Sequence, residues 1–241
     1  MKLGTALLAC ASLFVVGSAA FGEPPIGSRV GERIRKDQVK DDRDAVQSAH
    51  QLAGCIVVKR GSAARDLLSA RSDVEVKKLR AKMTGEYECL ADLPGNDFVE
   101  GVEVDYPQDV MRGDLAEELI KRNQHDVSGL QALPIQKVYS RSWFAFTGRD
   151  LSVDEMASCV ADTAPSGIIA LVDTQPFSDA ESNAFGSLVA YMGPCLRAGT
   201  KLEGKREPLR AALAEALYQR FTNPSESIPS APQGVAQAQH K

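Results

Sequence analysis

The feature that most constrains this chain is that it contains one segment twice. Ser48-Ala49-His50-Gln51, seven residues ahead of Cys55, lies over Ser152-Val153-Asp154-Glu155, seven ahead of Cys159. At the same offset Ser62 falls on Ser166, Leu67 on Leu171 and Leu68 on Val172. After a short insertion, Ser72-Asp73-Val74-Glu75 lies over Ser178-Asp179-Ala180-Glu181, and each stands seventeen residues ahead of the next cysteine, Cys89 or Cys195. The run Met111-Arg112-Gly113-Asp114-Leu115-Ala116-Glu117-Glu118-Leu119 then matches Leu209-Arg210-Ala211-Ala212-Leu213-Ala214-Glu215-Ala216-Leu217.

The repeated unit reads as helical. The S-x-x-[E/Q] sequences are capping boxes, in which hydroxyl and acidic or amide side chains satisfy amides left free at a helix start. Each unit divides into four helices, about 48–58, 62–70, 72–90 and one bearing Met111, Leu115 and Leu119, with counterparts at 152–162, 166–173, 178–196 and around Leu209, Leu213 and Leu217. Apolar residues four apart form a buried stripe. The expected fold is therefore mainly α: two tandem four-helix units, 45–122 and 150–221, joined by an apolar, partly extended connector at 123–149.

Two units of this size are small for a lone core, which gives the cysteines a structural task. Paired recurrence makes Cys55 to Cys89 and Cys159 to Cys195 the simplest of three connectivities, each bridge contributing roughly 3–4 kcal/mol by loop closure. With its own caps and staple, residues 150–221 are expected to be self-contained.

Compartment agrees with that chemistry. Met1 and Lys2 precede an uncharged run through Gly22 with small residues at Ser18 and Ala20, a signal peptide over 1–20. Retention as an anchor is the alternative, since about 20 apolar residues can span a bilayer. The expected location is periplasmic or secreted, where disulfides persist, with no membrane span after cleavage. Residues 21–44 form a charged arm, 222–241 a disordered tail rich in Pro, Ser, Gln and Ala, and Phe98–Val104 a short strand. The chain carries a formal charge of −4 and one tryptophan, Trp143. An acidic surface with few stacking platforms excludes nucleic acid as a partner class.

Sites of chemistry are sparse. The three histidines, His50, His125 and His240, show no order suggesting a nucleophile held beside a base. Catalytic, cofactor and metal-ligand motifs are absent, so no catalytic, cofactor-binding or metal residues are assigned and no cofactor is expected. Glu117 and Glu118 read as surface partners of Lys121 and Arg122, and His50 as a partly buried helix residue. Arg112 and Arg210, with Glu117 and Glu215, recur in both units. An Arg in the first turn of a helix opposes the dipole, so each is expected to be held by a carboxylate of its own unit, Asp73 or Glu75 and Asp179 or Glu181. Trp143 is a structural or contact candidate.

The cysteines, capping serines, Cys-Leu pairs (Cys89-Leu90, Cys195-Leu196) and R-x-x-L-A-E-x-L ending resemble uncharacterised exported bacterial proteins carrying a similar helical unit. That resemblance implies no activity, and fold does not confer one. The expected function is a non-catalytic periplasmic protein that binds a protein, peptide or envelope component in the groove between units. The alternatives are an envelope hydrolase using carboxylates and a small-ligand carrier.

Overall fold

A computed structural model of the chain describes residues 42–85, 87–91, 106–197, 199–200 and 206–227. The expected signal segment, most of the expected arm, Phe98–Val104 and the tail beyond 227 lie outside these residues. The first copy comprises α1 (Asp42–Ser69), α2 (Asp73–Thr84), α3 (Tyr87–Ala91) and α4 (Gln108–Arg122). A one-turn helix α5 (Gln124–Val127) follows. The second copy comprises α6 (Leu151–Thr163), α7 (Pro165–Val172), α8 (Asp179–Cys195) and α9 (Arg206–Thr222), and α10 (Pro224–Ser227) lies in the stretch read as tail.

The expected repeat coincides with a matching backbone defect. α1 bends at Arg60, whose dihedrals (φ −134°, ψ 33°) are not helical. Ala164, standing 104 residues later, the offset that relates Cys55 to Cys159, has φ −138° and ψ 53° and separates α6 from α7. In the second copy Pro165 follows the break and starts α7, where its missing amide hydrogen is not needed. The expected first and second helices are thus two arms of one bent element.

Caps sort into two outcomes. Ser72 and Ser178 accept from the amides of Glu75 and Glu181 at 3.3 and 3.0 Å, as the boxes predict. Ser48 instead lies inside α1, and Ser152 follows an N-cap at Asp150, so neither of these boxes caps a helix. The expected 72–90 helix is broken after Thr84, with Gly85 at its C-cap, whereas α8 continues unbroken. Both disulfides close within their copies, Cys55–Cys89 and Cys159–Cys195, each with Cα atoms 5.6 Å apart.

α4 and α9 cross at the centre of the molecule, with α1 packed on α4 and α6 on α9. Their approach is close because residue 113 is Gly: a Cβ there would fall 2.2 Å from the Cα and Cβ of Ala211. Buried Met111, Leu115 and Leu119 meet buried Leu213 and Leu217 in one continuous core that includes residues of both copies. The copies therefore do not enclose separate cores, and the expected self-containment of 150–221 gives way to a shared one. The connector carries no strand among the described residues, only a short 3-10 turn at Phe144–Phe146. Its Tyr139, Trp143 and Phe144 are buried, and Trp143 meets Phe144 edge to face with centroids 4.6 Å apart.

Candidate functional site

The charged residues common to both copies meet at the α4–α9 crossing. Arg112 donates from Nε and Nη2 to Glu215 Oε1 at 2.8 and 2.5 Å, and from its remaining amino group to the carbonyl of Leu67 at 2.7 Å. Arg210 donates from Nε and Nη2 to the two oxygens of Glu117 at 2.7 and 2.8 Å, and from Nη1 to Glu181 at 2.9 Å. Each arginine thus takes the glutamate of the other copy. This is an isologous contact, like that of a two-fold dimer joined into one chain.

Two expectations are corrected by this geometry. Own-copy pairing holds only for Arg210 with Glu181, while Asp73 and Glu75 are exposed and apart from Arg112. Both arginines are the fifth residue of their helices, beyond the first turn, so the dipole is not what demands a partner. Burial is: the side chains of Arg112, Arg210, Glu117 and Glu215 are at most 1% exposed. Glu117 is accordingly a core residue, although Lys121 reaches it at 2.9 Å as the i,i+4 spacing predicts. Burial opposes ionisation of Glu117, but hydrogen bonds from Arg210 and the charge of His50 prevail and hold its carboxyl below the usual range.

The flanks of this centre differ between copies. Beside Glu215, Arg149 bridges three groups, donating to Asp154 Oδ1 at 3.0 Å, Glu215 Oε2 at 2.5 Å and the Asp109 carbonyl at 3.0 Å. The repeat maps Asp154 onto His50, Glu215 onto Glu117 and Asp109 onto Glu207. Around Glu117, His50 Nε2 lies 3.0 Å from Glu207 Oε1 and 3.7 Å from Asp114 Oδ1, and His50 Nδ1 lies 3.6 Å from Glu117 Oε1. Tyr106 donates to the other oxygen of Asp114 at 2.5 Å. Burial works against the imidazolium, yet Asp114, Glu207 and Glu117 overcome it and push the His50 pKa up to about 9. Burial also lifts Asp114 well above the ordinary carboxylate range, against the pull of His50. Sequence reading places His50 as partly buried, which it is, at 10% side-chain exposure, but gives no hint of the carboxylates around it. They come from two other helices, and no local spacing connects them.

A second polar place lies beside the connector. Arg141 and Trp143 form one wall of a cleft whose other walls are Ser158, Asp162, Gln219 and Arg220, with Asn223 and Glu226 at the rim. It has space for about one water molecule. Ser158 Oγ and Arg141 Nη2 are buried here without a hydrogen-bond partner. Burial pushes the Asp162 carboxyl up to about 6, because Arg220 and Arg141 stand off at 3.5 and 3.7 Å and compensate only in part.

A pH dependence follows from Asp162. Its folded pKa lies above the unfolded one, so its contribution is complete at low pH and is lost as pH rises through about 6. Two pKa units correspond to about 3 kcal/mol. Because the unfolded carboxyl is already partly ionised at pH 4, Asp162→Asn should gain about 2 kcal/mol relative to wild type between pH 4 and pH 8 in urea titrations. A wild-type-to-variant difference that stays constant over this range would exclude the elevated pKa.

His125 stands exposed beside Asp126, away from either place, and His240 is outside the described residues. No protein-family model, curated protein or solved structure matches the chain.

Proposed function

We propose that the protein is a non-catalytic, exported binding protein whose ligand is a protein, a peptide or an envelope component, engaged along the connector where it crosses the two copies. Two disulfides suit an oxidising compartment. Among the described residues no helix is long and apolar enough to cross a membrane.

The observation that carries the reading is the division of labour in the connector. Its buried aromatic residues fix it to the helices, and Ser142 and Phe146 tie it to Arg71 and Gln108 of the first copy. Ile135 and Val138 meanwhile point outward, 53% and 69% exposed. Further along the connector, Arg141 Nη2, together with Ser158 Oγ, has no hydrogen-bond partner and can offer hydrogen bonds in a cleft too small for a whole small molecule. It suits one inserted backbone or side-chain group from a larger partner. A carboxylate-based hydrolase draws on the convergence of Asp114, Glu117 and Glu207 around His50, but these side chains are at most 11% exposed and leave little access for a polymeric substrate.

The test compares the mature oxidised chain with an Ile135→Asp/Val138→Asp variant as bait for envelope extracts. Exposed positions of this kind change stability by no more than about 0.5 kcal/mol each, so both baits should melt alike. Capture of a partner by wild type and its loss by the variant is the expected result. Equal capture by both would remove the connector from the interface.

A further inference from the structure

We propose that His50, Asp114 and Glu207 form a binding site for a divalent transition-metal cation of the zinc class, using His50 Nε2 and one oxygen from each carboxylate. The site is assembled across the repeat boundary, with His50 on α1, Asp114 on α4 and Glu207 near the start of α9.

Geometry is the first support. The three ligand atoms lie within 4.8 Å of one another, with 3.0 Å from His50 Nε2 to Glu207 Oε1 and 3.7 Å from His50 Nε2 to Asp114 Oδ1. Ligands about 2.0–2.1 Å from a tetrahedral zinc stand roughly 3.3 Å apart, midway between these two separations. One imidazole and two carboxylates make a donor set that suits zinc and its first-row neighbours.

An unmet valence is the second. Asp114 is 1% exposed, and its Oδ1, the oxygen that faces His50, has no hydrogen-bond partner. A buried carboxylate oxygen left without a donor is costly. Its other oxygen lies 2.5 Å from the Tyr106 hydroxyl, which is also 3.1 Å from the Ala49 carbonyl, so its single proton lies between the two acceptors and the ring is fixed. The far ring nitrogen, His50 Nδ1, faces Glu117 across 3.6 Å. A hydroxyl behind a carboxylate is the kind of outer contact that orients a metal ligand, while His50 Nδ1 makes no hydrogen bond to Glu117 across that distance.

The repeat supplies the third and most specific support. At the corresponding place in the second copy the chain provides its own cation: the Arg149 guanidinium sits among Asp154, Glu215 and the Asp109 carbonyl. The residue aligned with Arg149 in the first copy is Ala45, which brings no charge. Lys121 and Arg210 are engaged by Glu117, which is not one of the three ligands. The first copy has no such guanidinium, only the His50 imidazole among Asp114, Glu207 and Glu117, and in its neutral form that ring is a metal ligand.

The test uses mature, oxidised, chelator-treated protein titrated with Zn2+ by calorimetry and with Co2+ by absorption. Expected are one Zn2+ per chain, a rise in melting temperature, and the visible bands of four-coordinate Co2+. Glu207→Gln, at the rim, and the near-isosteric Asp114→Asn should each weaken Zn2+ at least tenfold while the metal-free variants keep their helical spectrum. Tyr106→Phe should weaken it about tenfold through the ligand it orients. Wild type that gives neither heat nor Co2+ bands would overturn the site, as would binding left intact in both carboxamide variants. Partner capture by the connector is a separate readout and stands or falls independently.

Discussion

Residues 150–221, expressed alone and oxidised, should not fold as a monomer. The side chains of α9 from Arg210 through Arg220 are all buried in the intact chain, and α4 covers much of that surface. Without the first copy, Arg210 loses Glu117 and Glu215 loses Arg112, while Leu213 and Leu217 lose apolar neighbours of the shared core. Each large apolar side chain returned to water costs about 1.5–3 kcal/mol. The Cys159–Cys195 bridge contributes roughly 3–4 kcal/mol and does not offset several such losses. Pairing α9 with α9 of a second fragment, Arg210 against Glu215, does not rescue the fold, because Ala211 would then face Ala211 where the intact crossing needs Gly113. Circular dichroism should accordingly show a coil spectrum, with no helical dimer in sedimentation as concentration rises. A monomeric fragment with a cooperative melt would contradict the shared core.

How far the sequence reaches is set by the range of the interactions involved. Capping at Ser72 and Ser178 and the disulfide pairing were legible, because spacing along the chain governs them. The Ser48 and Ser152 boxes misled. A capping motif competes with upstream residues able to extend or restart the helix, and α1 begins at Asp42. The repeat marks the recurring Arg and Glu, but it points only to partners within each copy, because periodicity contains no information about how copies dock. Gly113 was visible opposite Ala211 in the alignment, yet its meaning, a helix crossing too tight for a side chain, needs the partner helix. The His50 cluster was the least accessible, combining α1, α4 and α9 with no common motif. One signal did exist in the sequence: aligned positions 50 and 154 hold a potential cation in one copy and an acid in the other, which marks a place where the duplicated electrostatics had to differ.

Glu215→Ala should be among the most destabilising single substitutions in the protein. Its carboxylate is 0% exposed and serves Arg112 through Oε1 and Arg149 through Oε2. Arg149 retains Asp154, but Arg112 keeps only backbone carbonyls of α1 around a buried positive charge. Breaking a buried pair from one side costs about 3–5 kcal/mol, chiefly because the surviving charge stays desolvated. For a chain of this size that lowers the melting temperature by about 10 °C. Glu117→Ala should cost less, since Arg210 still has Glu181, and the exposed Glu75→Ala should fall within about 0.5 kcal/mol of wild type. The cause is separable from lost packing. In Arg112→Met/Glu215→Leu both charges go and apolar volume remains, so the double variant should regain much of what Glu215→Ala loses. Urea unfolding of the four variants checks the order, and a Glu215→Ala protein as stable as Glu75→Ala would show that Arg112 does not depend on a carboxylate across the repeat.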